Sequence, residues 1–314
     1  MFVSCGDALF DLFALPPETK GRIALEGHVG GSPLNVAVGL ARLGNQTGYL
    51  AKNSSDTFGQ RIAEFLKENG VSSNLLVPTT RNSTLALVSR RADGSADYGF
   101  YISETADRSM TLAELPKSLP REVTCVHVGS YSTVTDPTAA SLLALVRRER
   151  GGRFVSYDPN IRPSIEPDLD RWREQFGNFS AAAHCIKASD EDIAALYPRM
   201  SAESFAADRI SGGASLVFVT RGPKGAMAFS ANGRTAQAEG RPVEVVDTVG
   251  AGDTFAAAML HWLGSAGYLS AENAADADLD AILAFSIAAA AVTCSRRGAD
   301  LPRLDEIAVH GQGR

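Results

Sequence analysis

The chain has 314 residues, 45% of them hydrophobic and 21% charged, an ordinary globular composition long enough for a large α/β core. Its net charge of −6, with no Lys/Arg run or basic patch interleaved with aromatics, argues against nucleic acid as a partner. No stretch reaches about 18 uninterrupted apolar residues, so no membrane-spanning helix is expected.

Short β-like runs alternate with helical patterns, which predicts βαβ units and a mostly parallel sheet. Phe2–Cys5 reads as a first strand: Asp7 and Asp11 interrupt the apolar run, and no basic residues precede it as a signal peptide would require. Asn35–Leu43 reads as a helix ended by Gly44, Thr47–Ala51 as a strand, and Phe58–Asn69 as a helix closed by Gly70. Val123–Val128 is a strand, Pro137–Arg150 a helix with proline in its first turn, and Arg153–Tyr157 a strand running into Asp158-Pro-Asn-Ile-Arg162. Cys185–Ala188 and Leu216–Thr220 are further strands, Val243–Val246 alternates into another, and Ala251–Leu263 and Asp278–Thr293 are Ala-rich apolar helices. Arg22–Val29 and Ser83–Ser103 break the rhythm. The second reads as a hairpin of Thr84–Arg90 and Tyr98–Ile102 around a turn at Asp93-Gly94, and both suit a β flap over one end of the sheet. Cys5, Cys125, Cys185 and Cys294 lie far apart, and three sit in apolar runs. They read as free thiols in a reducing, cytoplasmic setting.

The strongest local feature is Asp247-Thr-Val-Gly-Ala-Gly-Asp-Thr-Phe255, a Gly-rich turn opening a helix. Free amides at a helix N-terminus, aided by the macrodipole, make an anion site, and Gly250 and Gly252 let a phosphate approach the backbone. Asp253 in the first helical turn would repel that phosphate. It either caps the helix or accepts a proton from an attacking hydroxyl, and its flanking residues favour the second role. No Gly-x4-Gly-Lys-Ser/Thr occurs, so phosphate must be held without the usual loop lysine. A second constellation, Gly30-Gly-Ser-Pro-Leu-Asn35, precedes the first helix; it serves either as a ligand-facing turn or as a plain turn capped by Asn35. Asp7 and Asp11 follow the first strand, at the sheet edge where open α/β folds bind ligands. Lys187 and Ser189–Asp192 sit at another strand end, where the acids also suit a helix N-cap.

These residues resemble the ribokinase/PfkB family of carbohydrate kinases over nearly the whole chain. Gly30–Gly44 resembles the family's N-terminal motif and Asp247–Phe255 its C-terminal motif. The resemblance implies one ribokinase-like domain over residues 1–314. That domain is a Rossmann-like, mostly parallel sheet flanked by helices, with lid strands inserted at about 14–30 and 83–104. It implies transfer of the γ-phosphoryl group of ATP to a sugar hydroxyl, with Mg²⁺. By position Asp253 is the base, and Gly250, Ala251 and Gly252 form the anion hole. Asp11, Gly31 and Asn35 hold sugar hydroxyls, with Tyr101 and Arg162 as further substrate contacts. Lys187, Ser189, Thr220, Gly222 and Gly225 belong to the nucleotide site, together with Gly250 and Gly252. Phe285–Thr293, including Ala289, covers the adenine. Ser189 and Asp192 stand where the family has Asn-x-x-Glu, a departure that bears on Asp192 as a water-mediated Mg²⁺ contact. Asp247, with the Val249 carbonyl, resembles a K⁺ site.

Gly6-Asp-Ala-Leu-Phe-Asp11, Phe100-Tyr101, Ala106-Asp-Arg108 and Asp158–Pro163 look most like bacterial fructokinases. The 2-keto-3-deoxygluconate kinases tend to carry Arg after the lid tyrosine; Ile102 here favours a neutral hexose, while Arg162 keeps a sugar acid open. Ribokinase, nucleoside kinase and a catalytically silent sugar-binding regulator are the remaining alternatives. Exposed lid edges suit a homodimer formed through the lid.

Overall fold

The computed structural model describes residues 1–19, 21–90 and 96–307; the expected turn at Asp93-Gly94 lies outside them. In chain order, β1 (Phe2–Cys5) leads into β2 (Leu9–Thr19), β3 (Arg22–Gly30) and α1 (Ser32–Arg42). Then come β4 (Thr47–Leu50), β5 (Lys52–Ser54), α2 (Thr57–Glu68), β6 (Val71–Ser72), β7 (Val77–Thr79), β8 (Thr84–Arg90) and β9 (Ala96–Tyr101). The next stretch contains β10 (Cys125–Gly129), α3 (Thr138–Glu149), β11 (Phe154–Asp158), α4 (Leu169–Ser180), β12 (Cys185–Ser189), α5 (Asp190–Leu196) and α6 (Ala202–Ser211). The last contains β13 (Leu216–Thr220), β14 (Ala226–Ser230), β15 (Thr235–Ala238), α7 (Ala251–Ser265) and α8 (Leu279–Cys294).

The large sheet has the order β15-β14-β13-β12-β11-β10-β1-β4-β6. It is parallel from β13 to β6, and only the pairings β13–β14 and β14–β15 are antiparallel, so β14 alone runs against the rest. Strand order reverses between β1 and β10, and ligands bind beyond the carboxyl ends of strands at such a switch point. The fold is ribokinase-like α/β. No helix among the described residues is long and apolar enough to cross a membrane.

A second sheet, β3-β2-β8-β9, stands over that end of the first. Successive side chains of a strand face opposite ways. Leu9, Asp11 and Phe13 on β2, Val88 on β8 and Phe100 on β9 therefore face the cavity beneath. Phe10 faces the other way and packs on Phe58 of α2, with ring centroids 4.9 Å apart. Tyr101 shares that outer phase, paired with Leu85 across the strands, and is 63% exposed.

Three differences from the sequence expectations concern local structure. Val243–Val246 forms no strand. It has β-favouring residues but no sheet partner, and the Val246 amide instead donates to the Cys294 carbonyl at the end of α8 (2.9 Å). The antiparallel pair β14–β15 and the helices α4 and α6 were not expected. Helix α1 begins at Ser32, three residues before the periodic apolar run suggests, because Pro33 is accommodated in its first turn. All four cysteines are free, three of them buried.

The two motif helices are packed directly on each other. Val36 and Leu40 of α1 share a buried cluster with Ala256, Ala257 and Leu260 of α7. Gly39 makes the close approach possible: a Cβ there would lie 2.8 Å from Ala257 Cβ and 2.5 Å from Leu301 Cδ2. A Gly39→Val variant should therefore lose about 1–3 kcal/mol of unfolding free energy through overpacking, measured by urea titration.

Candidate active site

A cavity of about 1310 Å³ opens between the lid and the carboxyl edge of the large sheet. That exceeds the usual range of about 300–1,000 Å³ for one small ligand, and leaves room for two. Its lining is drawn from distant parts of the chain: Asp11, Gly31, Asn35, Arg162, Lys187, Ser189, Asp192, Thr220, Gly222, Gly225 and Gly250 to Asp253 all reach it.

At its centre two helix N-termini meet. Gly250 precedes α7 at φ +78°, a left-handed value, and a Cβ there would lie 2.7 Å from Ala299 Cβ. The turn is tightened by the Ala251 amide, which donates to the Thr248 carbonyl at 3.2 Å. The amides of Gly252 and Asp253 fall in the first helical turn, where no intrahelical acceptor exists. Asp253 is 7% exposed, and α1 holds both of its carboxylate oxygens. Ser32 Oγ donates to Oδ1 at 2.6 Å and Asn35 Nδ2 to Oδ2 at 2.8 Å. Asn35 is thus a partner of Asp253 as well as part of the cavity wall. Ser32, given no role of its own in the sequence reading, is the second partner; its place between Gly31 and Pro33 was the available signal. Gly31, at φ +114°, brings this helix start against the Asp7 carbonyl, which a Cβ would approach to 2.5 Å.

Lys187 projects from β12 beside this junction. It is buried, and its Nζ donates to Asp158 Oδ2 at 2.8 Å. A Cβ on Gly252 would lie 3.1 Å from Nζ, so the ammonium group flanks the start of α7. A strand lysine therefore stands where a phosphate-binding loop would have supplied its own. Burial pushes the Lys187 pKa down, but the carboxylates of Asp158, Asp192 and Asp253 outweigh it and the net shift is upward, which keeps the group charged.

Asp11 lies on the lid's inner face. A Cβ on the facing Gly30 would come within 2.4 Å of its Oδ2, so glycine leaves space for the carboxylate. Burial raises the Asp11 pKa to about 6; His28 and Arg162 oppose the shift and Asp253 adds to it. Arg162 lines the opposite wall, its Nη1 donating to the Ile161 carbonyl at 3.0 Å.

Three sequence expectations are corrected. Tyr101 does not reach the cavity, because strand alternation turns it outward, and Phe100 lines the wall instead. Ala289 is fully buried among Leu43, Ala258 and Ile307; helical periodicity gives the cavity Ile287, Ala290, Ala291 and Cys294. Asp247 also lies outside the lining. Its Oδ1 accepts from the Val249 amide (3.1 Å) and its Oδ2 from the Gly298 amide (2.9 Å), so it closes the turn before α7.

Asp192 does line the cavity, yet its oxygens accept from the Ser189 amide (2.9 Å), Ser189 Oγ (2.7 Å) and the Ile161 amide (2.7 Å). Among the described residues no group of three or more His, Cys, Asp or Glu is placed to hold a metal ion. The described residues therefore offer no cluster of protein ligands that would hold a divalent ion by themselves.

A helix start with free amides, a flanking lysine and a buried carboxylate share this cavity, and the chain's relatives make it a phosphotransferase acting on a hydroxyl group. The pfkB family carbohydrate kinase model matches residues 1–306, and the chain belongs to that family. A fructokinase from Rhizobium leguminosarum bv. trifolii is 34% identical over 283 residues, covering 90% of this chain and 85% of that one. Fructokinase-2 of Solanum habrochaites is 33% identical over 307 residues, covering 95% and 92%. Among solved structures, a fructokinase with bound ATP from Xylella fastidiosa superposes with a TM-score of 0.87 at 26% identity, over 98% of this chain and 96% of that one. A Vibrio cholerae O395 fructokinase in fructose-, ADP- and calcium-bound form superposes with a TM-score of 0.80 at 26% identity, over 95% and 94%.

A carboxyl whose folded pKa is raised contributes stability below its unfolded pKa and loses it as pH rises through the folded value. Asp11, moving from the ordinary 3.8 to about 6, destabilises the ligand-free fold above about pH 6. Asp11→Asn should raise unfolding free energy at pH 8 by about 1–2 kcal/mol, with the gain gone below about pH 4, as thermal melts across that range would show.

Proposed function

We propose that this carbohydrate kinase transfers the γ-phosphoryl group of MgATP to a hydroxyl of fructose. The observation that carries the reading is the buried Asp253 carboxylate, held by Ser32 and Asn35 at the start of α7 inside a cavity large enough for a sugar and a nucleotide. Its support on substrate identity is the fructokinase relatives, two of them solved with ATP or with fructose and ADP.

The sugar lies between Asp11 on the lid and Asn35 on α1, with Arg162 beside it. Asp253 accepts the proton of the attacking hydroxyl while its oxygen bonds to the γ-phosphorus and the bond to the β-phosphate oxygen breaks, releasing ADP. The α7 amides at Gly250–Gly252, the helix dipole and Lys187 offset charge on the phosphoryl oxygens as it develops. Mg²⁺ bound with the nucleotide would help offset charge on its phosphates. Thr220, Gly222 and Gly225 flank the nucleotide. Val243 and Val245, against Ile287, Ala290, Ala291 and Cys294, form an apolar slot for its base. Closure of the lid excludes water and limits ATP hydrolysis.

We take the chain as one kinase domain carrying a lid, working in the cytoplasm, where free cysteines stay reduced. The lid's outer phase exposes Ile23, Leu25 and Tyr101 near the free edges of β3 and β9, which suits a lid-to-lid homodimer. Arg162 favours a second reading, a sugar acid as acceptor.

An ADP-release assay over fructose, ribose, tagatose, 2-keto-3-deoxygluconate and nucleosides separates these. The account expects fructose to show the highest kcat/KM; a preference for the sugar acid moves the assignment to Arg162, and ATP turnover indifferent to every sugar removes it. Lys187→Met should lower kcat/KM for MgATP by about 10²-fold or more, the scale of losing one pre-organised charge contact to the transferring group.

A further inference from the structure

The turn leaving β11 is held in an unfavourable shape. Asn160 sits at φ +43°, a left-handed value uncommon for a non-glycine residue, and the turn around it is fastened by its neighbours. Two carboxylates do so. At the start of the turn, Asp158 Oδ2 accepts from Lys187 Nζ at 2.8 Å. Three residues later the Ile161 amide donates to Asp192 Oδ1 at 2.7 Å, and the Ile161 side chain is buried in the main core. The other Asp192 oxygen is taken by the amide and hydroxyl of Ser189, closing a reciprocal cap on α5. Arg162 follows directly after the stapled turn, and Lys187 lies on the strand it is stapled to.

We propose that Asp192 is a positioning residue in this chain and not a metal contact: with Asp158 it fastens the turn 158–162 to the β12–α5 junction, so that Arg162 on the acceptor side and Lys187 on the phosphate side are set by one rigid unit. This rests on the kinase reading above. The backbone amide of Ile161 is the group whose direction Asp192 fixes, and a carboxylate accepting charge-assisted bonds from amides holds that direction firmly. Loss of the staple lets the turn relax and displaces Arg162 relative to Asp253.

The test uses Asp192→Asn and Asp192→Glu in the full chain, with whichever monosaccharide the parent enzyme turns over. Asn presents an NH2 group to the Ser189 donors, and Glu carries its carboxylate past the Ile161 amide. Both variants should raise the sugar KM by about tenfold or more, the scale of a misplacement near 1 Å, with the half-activating Mg²⁺ concentration within about twofold of the parent. A readout independent of turnover is Mn²⁺ binding to the protein, with and without ADP, followed by the electron spin resonance of the free ion; it should be the same in all three proteins. Weakened Mn²⁺ binding in Asp192→Asn, restored in Asp192→Glu, overturns the proposal, as does an unchanged sugar KM in both. Absence of sugar turnover in the parent overturns the kinase reading instead. Thermal midpoints identify a variant that has lost its fold; should Asn do so, Glu, which keeps the charge, decides alone.

Discussion

The structure turns on one carboxylate held by two helices. Asp253 belongs to α7, and its oxygens are bound by Ser32 and Asn35 of α1, more than two hundred residues away in sequence. Those hydrogen bonds require α1 and α7 to start at the same point, and Gly39 lets the helices approach closely enough for this. Once both starts are fixed at the carboxyl edge of the sheet, β1, β10, β11, β12 and β13 deliver their exit loops to the same cavity. A burial that would be costly for an isolated acid is offset here by two donors and by the positive end of the helix that carries it.

Charge around that point is divided. Asp11 faces the acceptor side, where burial lifts its pKa towards neutrality; Lys187 stands on the phosphate side, kept protonated by surrounding carboxylates. A phosphate arriving at α7 meets amides and an ammonium group. A hydroxyl arriving from the lid side meets acceptors. On the proposed reading, this division keeps the anionic phosphate apart from the neutral acceptor before any chemistry begins. On the same reading, the turn after β11 joins the two halves through Asp158 and Asp192.

Much of this was readable in the sequence. Gly30-Gly-Ser-Pro and Gly250-Ala-Gly-Asp mark helix starts because glycine and proline restrict what the backbone can do there, and the apolar runs behind them give the core faces. Other elements were hidden for physical reasons. Ala226–Ser230 and Thr235–Ala238 are mostly small residues with little β preference, so β14–β15 left no signal, while Val243–Val246 has strong preference and no partner. Helix α4 carries its apolar face on Trp172, Phe176 and Phe179, spaced by charged residues that mask it. The exchange of Tyr101 for Phe100 is a phase error of one residue, which only strand register can resolve. Asp192 and Asp247 were read for metals from the resemblance; their partners here are backbone amides and, for Asp192, the Ser189 hydroxyl, and a sequence does not show where an amide will point.

The central claim is that Asp253 takes the proton from the acceptor hydroxyl. It is tested most directly by comparing Asp253→Asn with the parent in two measurements on one preparation: rapid-quench phosphoryl transfer from ATP and calorimetric binding of the sugar. The account predicts a fall in the transfer rate of about 10²–10⁴, the usual worth of general-base help, with sugar affinity and the unfolding midpoint close to those of the parent. Transfer at a near-parental rate in the variant would contradict it.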